Sequence, residues 1–334
     1  MSEEFYHCYK EHRFTPGVRY ILDTANKYIE EYRNMGYTLI LRQLYYRFIA
    51  KDSFPDSWID RLYNIKEGLD PNTKNTLKNY KRLGDIINHG REAGIISWTA
   101  FEDRNRTLYG TNPVEDPDAV AKDIEMRLIL DCWADQPNYV EVYVEKDSLG
   151  PIIARPANKW RAPHMACKGY LSASQAWRAG VRFKAAMDDG KRAILIHVGD
   201  HDPSGKDMTR DNWERLNLFA EQDIEINRVA LNMDQILEKK PPPNPAKVTD
   251  SRFAKYVNEF GKDCWELDAL EPQELDDVVA RAIESYVDKE QWEATLKREQ
   301  RERAKIKKFY DGVIRHRKTI EMLISKDKKR KRKA

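Results

Sequence analysis

Three short apolar runs constrain the fold of this chain more than any other feature. They are YVEVYVE (139–145), RAILIHVG (192–199) and IEINRVAL (224–231), and amphipathic segments at 172–187 and 205–220 lie between them. The runs have the length and composition of β-strands, and the segments have the apolar spacing of helices. Alternation of strands and helices favours a mostly parallel sheet with helices on both faces. We therefore predict an α/β fold here, with ligands bound at the carboxyl ends of the strands.

The N-terminal part of the chain has a different pattern, with few strand signals. From Pro16 to about Leu108 apolar residues recur three and four positions apart, which predicts helices. Segment 72–94 is a basic amphipathic helix in this interpretation, and 95–110 contains a short strand and turn. This order is typical of a winged helix-turn-helix that inserts a helix into a DNA groove, and a helical bundle with a solvated basic face explains it equally well. The basic residues that would contact DNA are Lys78, Lys81, Arg82 and Arg91.

These patterns divide the chain into five parts. We predict a winged-helix domain over 15–110, a linker with a bridging helix over 111–138, a metal-binding α/β domain over 139–270, long helices over 271–325 and a basic, disordered tail over 326–334. The tail holds seven Lys or Arg residues and one Asp, so it carries +6, whereas the whole chain carries +3. The remaining residues sum to −3, and any nucleic-acid footprint on them must be local.

The number and spacing of the cysteines and the hydropathy of the chain indicate its cellular compartment. The four cysteines are scattered without a CxxC pair, so neither a zinc knuckle nor a disulfide framework is indicated. No run of about 18 apolar residues occurs, and the N-terminus MSEEFYHCYK lacks the layout of a secretory signal. We expect a cytoplasmic protein without membrane contact.

Acidic residues follow two of the predicted strands. Glu145 ends the first and Asp200 follows the second, so both carboxylates should emerge at one edge of the sheet, and Asp202 adds a third in GDHDPSGKD. Three converging carboxylates repel one another unless a cation neutralises them, and oxygen ligands favour Mg²⁺ or Mn²⁺ over Zn²⁺. The sequence therefore predicts a site for Mg²⁺ or Mn²⁺. Asp202 has a second interpretation, as the N-cap of a helix that starts near Ser204.

The segments VYVEKDSLG and LIHVGDHDPSGKDM resemble the two acidic motifs of the Toprim fold. The usual third aspartate of D-x-D-x-D is Ser204 here, with Asp207 as a substitute. The D-x-D-P-x-G form, with Pro203, resembles that of one branch, the topoisomerase VI A subunits and the meiotic double-strand-break transesterases. GYLSAS (169–174) is similar to a glycine-containing segment of that branch. The chain also resembles short prokaryotic and phage proteins of A-subunit type, which implies a nucleoid-associated or phage-encoded protein.

The resemblance implies roles for individual residues. The sheet would be Toprim-type and Rossmann-like, with Glu145 as acid/base or metal ligand and Asp200 and Asp202 as metal ligands. Lys146 and His201 flank these residues. They would contact the DNA phosphate or relay a proton, or they are simply surface neighbours.

The same branch carries a nucleophilic tyrosine in a segment similar to T-x-R-x-x-Y-Y, which TLILRQLYYRF (38–48) resembles. The second tyrosine, Tyr46, matches the nucleophile. On a helical wheel Tyr45 falls on the apolar face, whereas Tyr46 lies roughly 130° from its centre, near Arg42. We therefore expect Tyr45 in the core and Tyr46 facing solvent or DNA. Because a phenol has a pKa of about 10, Arg42 would stabilise the phenolate or hold the phosphate; an exposed tyrosine beside an arginine is also common on any surface.

The resemblance spans about residues 15–235 and implies Mg²⁺-dependent cleavage and rejoining of double-stranded DNA. Tyr46 would form a 5′-phosphotyrosyl link and release a 3′-OH, in a homodimer whose tyrosine and metal site come from different subunits. No GxxxxGK[ST] loop is present, so ATP-driven strand passage would need a separate ATPase subunit. Two alternatives stay open: a Toprim nuclease that uses metal-activated water, and a non-catalytic DNA-binding protein of a phage or mobile element.

Overall fold

The structure, a computed structural model, describes residues 6–101, 127–245, 250–317, 319 and 322. The chain divides into two compact units. One comprises residues 1–106 and 139–286, and the other comprises residues 107–138 and 287–334. The predicted helical and α/β domains thus belong to one unit. The predicted tail and the predicted bridging helix before residue 127 lie outside the described residues.

Helices form the first part of the larger unit: α1 (Pro16–Asn34), α2 (Leu41–Ala50), α3 (Arg61–Lys66) and α4 (Leu77–Glu92). Thr15, Asp60 and Thr76 cap α1, α3 and α4, because their side chains accept backbone N–H groups of the first turn. The apolar faces close around a shared core that includes Leu44 and Phe48 of α2. The periodicity of the sequence therefore predicted these helices correctly.

The basic helix predicted over 72–94 is confirmed as α4. The strand predicted after it is not found in the described part of 95–110. Residues Trp98–Ala100 form one turn of 3-10 helix, and Phe101 makes an isolated bridge to Leu39. Residues 102–110 lie outside the described range, so the wing of a winged helix stays a prediction.

The second part of this unit is a four-stranded parallel sheet. Its strands are β1 (Asn138–Val144), β2 (His164–Ala166), β3 (Arg192–Val198) and β4 (Glu225–Ala230), in the order β2-β1-β3-β4. The predicted α/β class and the three predicted strands are confirmed. Sequence reasoning missed β2, because three residues are too few for a periodic pattern.

Helices cover both faces of the sheet. Along the chain follow α5 (Gly150–Lys159), α6 (Ala173–Asp188), α7 (Pro203–Ala220), α8 (Met233–Lys239), α9 (Phe253–Phe260) and α10 (Pro272–Glu284). Helices α6 and α7 pack together on one face, so closely that a Cβ at Gly180 would lie 2.4 Å from the Cβ of Phe219. Helices α5 and α10 pack together on the other face. A separate antiparallel pair, β5 (Asn244–Pro245) and β6 (Asp263–Cys264), flanks α9.

In the smaller unit the described residues centre on helix α11 (Lys289–Arg315), which lies within the long helices predicted over 271–325. Trp133 and Trp292 meet edge to face, with ring centroids 5.6 Å apart. Buried Glu299 accepts a hydrogen bond from the backbone N–H of Leu130 and pairs with Arg303. None of the helices among the described residues is both long and apolar enough to cross a membrane.

Candidate functional site

Glu145 and Asp200 meet at the carboxyl ends of adjacent strands, as predicted. Glu145 directly follows β1, and Asp200 follows β3 after one glycine. The backbone N–H of Asp200 donates a hydrogen bond of 2.9 Å to Oε2 of Glu145. Burial raises the pKa of both carboxyl groups, and the charge of Glu145 adds to the shift at Asp200. We call Glu145, Asp200 and Asp202 the acidic centre.

Asp202 is the N-cap of α7. Its Oδ1 accepts a 2.6 Å hydrogen bond from the backbone N–H of Gly205, so the capping interpretation is correct. A Cβ at Gly205 would lie 2.2 Å from the carbonyl oxygen of Asp200, which excludes any side chain there. Oδ2 of Asp202 and Oε1 of Glu145 make no hydrogen bond to the described residues. Two carboxylate oxygens of the acidic centre thus stay available to a cation.

Arg228 of β4 holds the loop that carries the acidic centre. Its guanidinium donates to the carbonyl oxygens of Gly199 at 2.8 Å, Asp200 at 2.6 Å and Gly205 at 3.0 Å, and to Oγ1 of Thr209 at 2.8 Å. Burial lowers its pKa to about 10, and the neighbouring carboxylates oppose that shift. The only signal in the sequence was a charged residue inside an otherwise apolar strand. Such a residue needs buried partners.

Lys146 is an internal cation of the site. Its Nζ lies 2.9 Å from Oδ2 of Asp200, 3.0 Å from Oε2 of Glu266 and 2.8 Å from Oδ2 of Asp268. Burial opposes its charge, but these carboxylates outweigh burial and raise its pKa well above the ordinary value. The second oxygen of Asp200 accepts the backbone N–H of Leu267 at 2.8 Å. In this conformation the ammonium group of Lys146 is therefore paired with three carboxylates, which argues against its predicted role as a DNA contact.

Glu266 and Asp268 belong to the segment WELDAL (265–270), which follows β6 and forms a 3-10 turn over Leu267–Ala269. Trp265 pairs with His201 through two backbone hydrogen bonds of 2.8 and 2.9 Å. Asp268 is buried, and its Oδ1 has no partner among the described residues. The backbone pairing of Trp265 with His201 thus places the carboxylates of Glu266 and Asp268 beside the D-x-D motif.

His201 lies in the interior and is not a surface residue, so its predicted contact with DNA stays a prediction that would require the ring to become exposed. The side chain is fully buried among aromatic rings, with Nδ1 2.7 Å from the hydroxyl of Tyr256 and the ring packed against Phe260. Burial lowers its pKa to about 4, so the imidazole is neutral near pH 7. The pairing with Trp265 covers the imidazole ring. This burial could not be predicted from the sequence, because both neighbours of His201 are aspartates.

Tyr46 is buried, contrary to the expectation from the helical wheel. Its side chain is 3% exposed, the same value as for Tyr45. Its hydroxyl accepts a 2.8 Å hydrogen bond from Nδ2 of Asn244, and the guanidinium of Arg42 lies 5.7 Å from the ring centroid. Burial and nearby Glu266 raise its pKa to about 12, against the opposing effects of Arg42 and Asn244. The helical wheel predicted exposure wrongly because the WELDAL segment and Asn244 cover the polar side of α2.

A chain of polar contacts joins the tyrosine to the acidic centre. Nδ2 of Asn244 lies 2.8 Å from the hydroxyl of Tyr46 and 3.4 Å from Oε1 of Glu266, and Glu266 contacts Lys146, which pairs with Asp200. We call these five residues the Tyr46 network. Arg42 strengthens it, since Nε donates to Oε2 of Glu266 at 2.9 Å. The two halves of the predicted site therefore meet within one chain, whereas the resemblance implied two subunits.

The predicted DNA-contacting residues of α4 lie apart from this network. Lys78, Lys81 and Arg82 are exposed, and Arg91 is half-buried. Lys78 pairs with Asp60 at 2.6 Å, Arg82 stacks 4.3 Å from the ring centroid of Trp58, and Arg91 lies over Phe101. Lys81 has no ion pair among the described residues. Their role in DNA binding stays a prediction.

A second group of potential metal ligands lies at the end of α4. Among the described residues, only His12, His89 and Glu92 bring three ligand atoms within 4.8 Å of one another. His12 Nε2 lies 2.5 Å from Oε2 of Glu92, which ties the segment before α1 to α4. The oxygens of the acidic centre are therefore more widely spaced than this group.

Comparisons with models of protein families, with curated proteins and with solved structures give no match to this chain. The residues and contacts described above are thus the only support for a function.

Proposed function

We propose that this protein cleaves and rejoins double-stranded DNA by metal-dependent transesterification. Tyr46 is the nucleophile, and the acidic centre is the metal site. The observation that carries the proposal is the Tyr46 network, which ties the phenol to Asp200 through 2.8–3.4 Å contacts. A tyrosine in an ordinary core needs no such connection to a group of carboxylates at the carboxyl ends of a parallel sheet.

The acidic centre suits a hard divalent cation. Its free oxygens are carboxylate oxygens, and burial together with the charge of Asp202 raises the pKa of Glu145, so a bound cation would stabilise its ionised form. Mg²⁺ or Mn²⁺ bound there would supply positive charge beside the scissile phosphate. Glu145 and Asp202 would hold it, and Asp200 becomes available only when Lys146 leaves.

The chain's own residues prepare the nucleophile. Attack by Oη of Tyr46 forms a phosphotyrosyl bond at the 5′ side and breaks the bond to the 3′ oxygen; the phenol loses a proton, and the 3′ oxygen gains one. Arg42 lies over the ring and favours the phenolate, whereas Glu266 opposes it. Because Tyr46 is buried beneath Asn244, a DNA phosphate reaches it only after Asn244 moves.

The proposal includes partners. The exposed basic residues of α4 would contact the DNA backbone. Cutting both strands requires two tyrosines, so we propose a homodimer. Strand passage would also need a separate ATPase subunit, because the chain has no GxxxxGK[ST] loop.

A second candidate is a nuclease in which metal-activated water is the nucleophile. The burial of Tyr46 favours it, because metal-activated water as the nucleophile requires neither the phenol nor any movement of Asn244. In this case the Tyr46 network only joins α2 to the sheet.

Plasmid cleavage tests the proposal. We expect supercoiled DNA to be nicked or linearised with Mg²⁺ or Mn²⁺, and we expect Glu145→Gln and Asp202→Asn to reduce the rate about 100-fold or more, because each removes a charged ligand. Asp147→Asn is the matched control, since Asp147 lies in the same loop but pairs with Lys168. If the plasmid stayed intact with Mg²⁺ and with Mn²⁺, catalysis would be excluded, and the non-catalytic DNA-binding protein would be the remaining interpretation. A rate in either variant equal to that of the control would reject the metal site.

The role of Lys146 yields a prediction that needs no DNA. Lys146→Met removes the internal cation and leaves Asp200 and Asp268 without their partner, so Mn²⁺ should bind at least about tenfold more tightly. Electron paramagnetic resonance of free Mn²⁺ measures this affinity. Lys168→Met, at a lysine that is 65% exposed, should leave it unchanged. Equal or weaker Mn²⁺ binding in Lys146→Met would show that Lys146 does not compete with a metal.

A further inference from the structure

A small basic cavity lies beside the acidic centre, between the first turns of α7 and helix α9. Its volume is about 190 Å³. Four cationic side chains line it, against two acidic ones: Lys206, Arg210, Arg252 and Lys255, with Asp207 and Glu259. Tyr256 and Phe260 form an apolar wall. We call it the basic pocket, and no sequence motif had pointed to it.

The two arginines of the basic pocket are held in place by carboxylates. Arg252 contacts Asp250 at 2.8 Å and Asp207 at 3.1 Å, and Arg210 contacts Asp207 at 2.8 Å. Their positions are therefore fixed before any ligand binds. Their charge is largely neutralised, so they shape the pocket more than they attract an anion.

The two lysines are different, because neither forms an ion pair with the described residues. Lys206 is half-buried, with Nζ 5.0 Å from the ring centroid of Phe260. Burial and the charge of Arg228 lower its pKa, and only Glu259 opposes them. Lys255 is exposed at the rim. A partly desolvated cation without a counter-ion is costly, and an anionic ligand would relieve that cost.

The location and size of the basic pocket restrict its ligand. Pro203, the residue after Asp202, lines the pocket, and Lys206 lies about 6 Å along α7 from Asp202, so the pocket adjoins the acidic centre. Sites for whole small molecules usually enclose about 300–1,000 Å³, and this cavity is smaller. It has room for a phosphate with part of its sugar.

We infer that the basic pocket binds a DNA backbone phosphate next to the one that is cleaved, with Lys206 and Lys255 as its ligands. This inference rests on the proposed function for the choice of DNA. The pocket would set the register of the strand relative to the acidic centre, because phosphate contacts position a duplex without reading its sequence.

DNA binding without cleavage tests this inference. The double variant Lys206→Gln/Lys255→Gln is titrated against a short fluorescent duplex in EDTA at several salt concentrations. We expect about tenfold weaker binding at about 0.1 M salt and a salt slope smaller by about one, because one phosphate contact is lost. The matched control Lys27→Gln/Lys159→Gln replaces two exposed lysines elsewhere in the same unit and should change neither value.

Two results would overturn the inference. Unchanged DNA affinity and salt slope in the double variant would exclude a phosphate contact at the basic pocket. Loss of inorganic phosphate binding with unchanged DNA binding, measured by calorimetry, would assign the pocket to a free anion. EDTA prevents metal-dependent cleavage, so either result leaves the proposed function to the plasmid experiment. Conversely, weaker DNA binding supports the pocket even if the plasmid is never cut.

Discussion

Replacing Tyr46 with phenylalanine should abolish covalent protein–DNA adducts while DNA affinity stays nearly unchanged. The substitution removes only the hydroxyl, and with it the hydrogen bond from Asn244, so the buried ring still fills its place in the core. Without the oxygen no phosphotyrosyl bond can form. Adducts are measured by denaturing electrophoresis of end-labelled DNA after incubation with Mg²⁺ or Mn²⁺.

Tyr45 is the matched control for this experiment. Its hydroxyl accepts the backbone N–H of Thr76 at 2.7 Å and donates to the carbonyl oxygen of the same residue at 3.0 Å. Tyr45→Phe should therefore lower the free energy of unfolding by about 1–3 kcal/mol and still form adducts. Adducts that persist in Tyr46→Phe would exclude Tyr46 as the nucleophile, and if they also vanish in folded Tyr45→Phe the role would pass to Tyr45. Cleavage without adducts in both variants and in the unmodified protein would instead identify the water-dependent nuclease.

Arg228→Met should destabilise the protein by about 3–5 kcal/mol. The methionine fills part of the space but leaves the carbonyl oxygen of Asp200 without a donor among the described residues. The substitution also removes the guanidinium donor of Gly199 and Gly205, whose carbonyl oxygens keep the backbone N–H of Leu231 and Oγ1 of Thr209, respectively. The same loop carries the acidic centre, so Mn²⁺ binding should weaken as well. Urea unfolding followed by circular dichroism measures the stability.

The control for Arg228→Met is Arg192→Met on the neighbouring strand. Arg192 is 67% exposed and pairs with Glu225 at 2.7 Å, and such a surface pair contributes only about 0–1 kcal/mol. If both variants lost the same stability, the loop would not depend on the guanidinium of Arg228. The acidic centre would then be held by the backbone alone.

Local patterns in the sequence were sufficient for the longer helices and strands and for part of the site. The periodicity of apolar residues located α2, β1 and β3, because burial of one face is a property of each segment on its own. The meeting of Glu145 and Asp200 was also predictable, since parallel strands present their carboxyl ends at one edge of a sheet. The cap formed by Asp202 is a local interaction of the same kind.

The wheel could not predict what covers the polar side of α2. The hydroxyl of Tyr46 is hydrogen-bonded to Asn244, which lies 198 positions away in the sequence. Arg42 is hydrogen-bonded to Glu266, which lies 224 positions away. A helical wheel compares residues within one helix and carries no information about such partners. The burial of Tyr46 and the pairing of Arg42 with Glu266 therefore appeared only in the folded chain.

The acidic centre was thus determined by the sequence itself, through strand ends and a D-x-D turn whose geometry is local. Only the tertiary structure decided that Lys146 is paired with Asp200, that His201 is buried beneath Trp265 and that Tyr46 joins the same network. The physical reason is that charge pairing and burial depend on which distant segments pack together. In this chain WELDAL is that segment, because it lies against both α2 and the D-x-D loop.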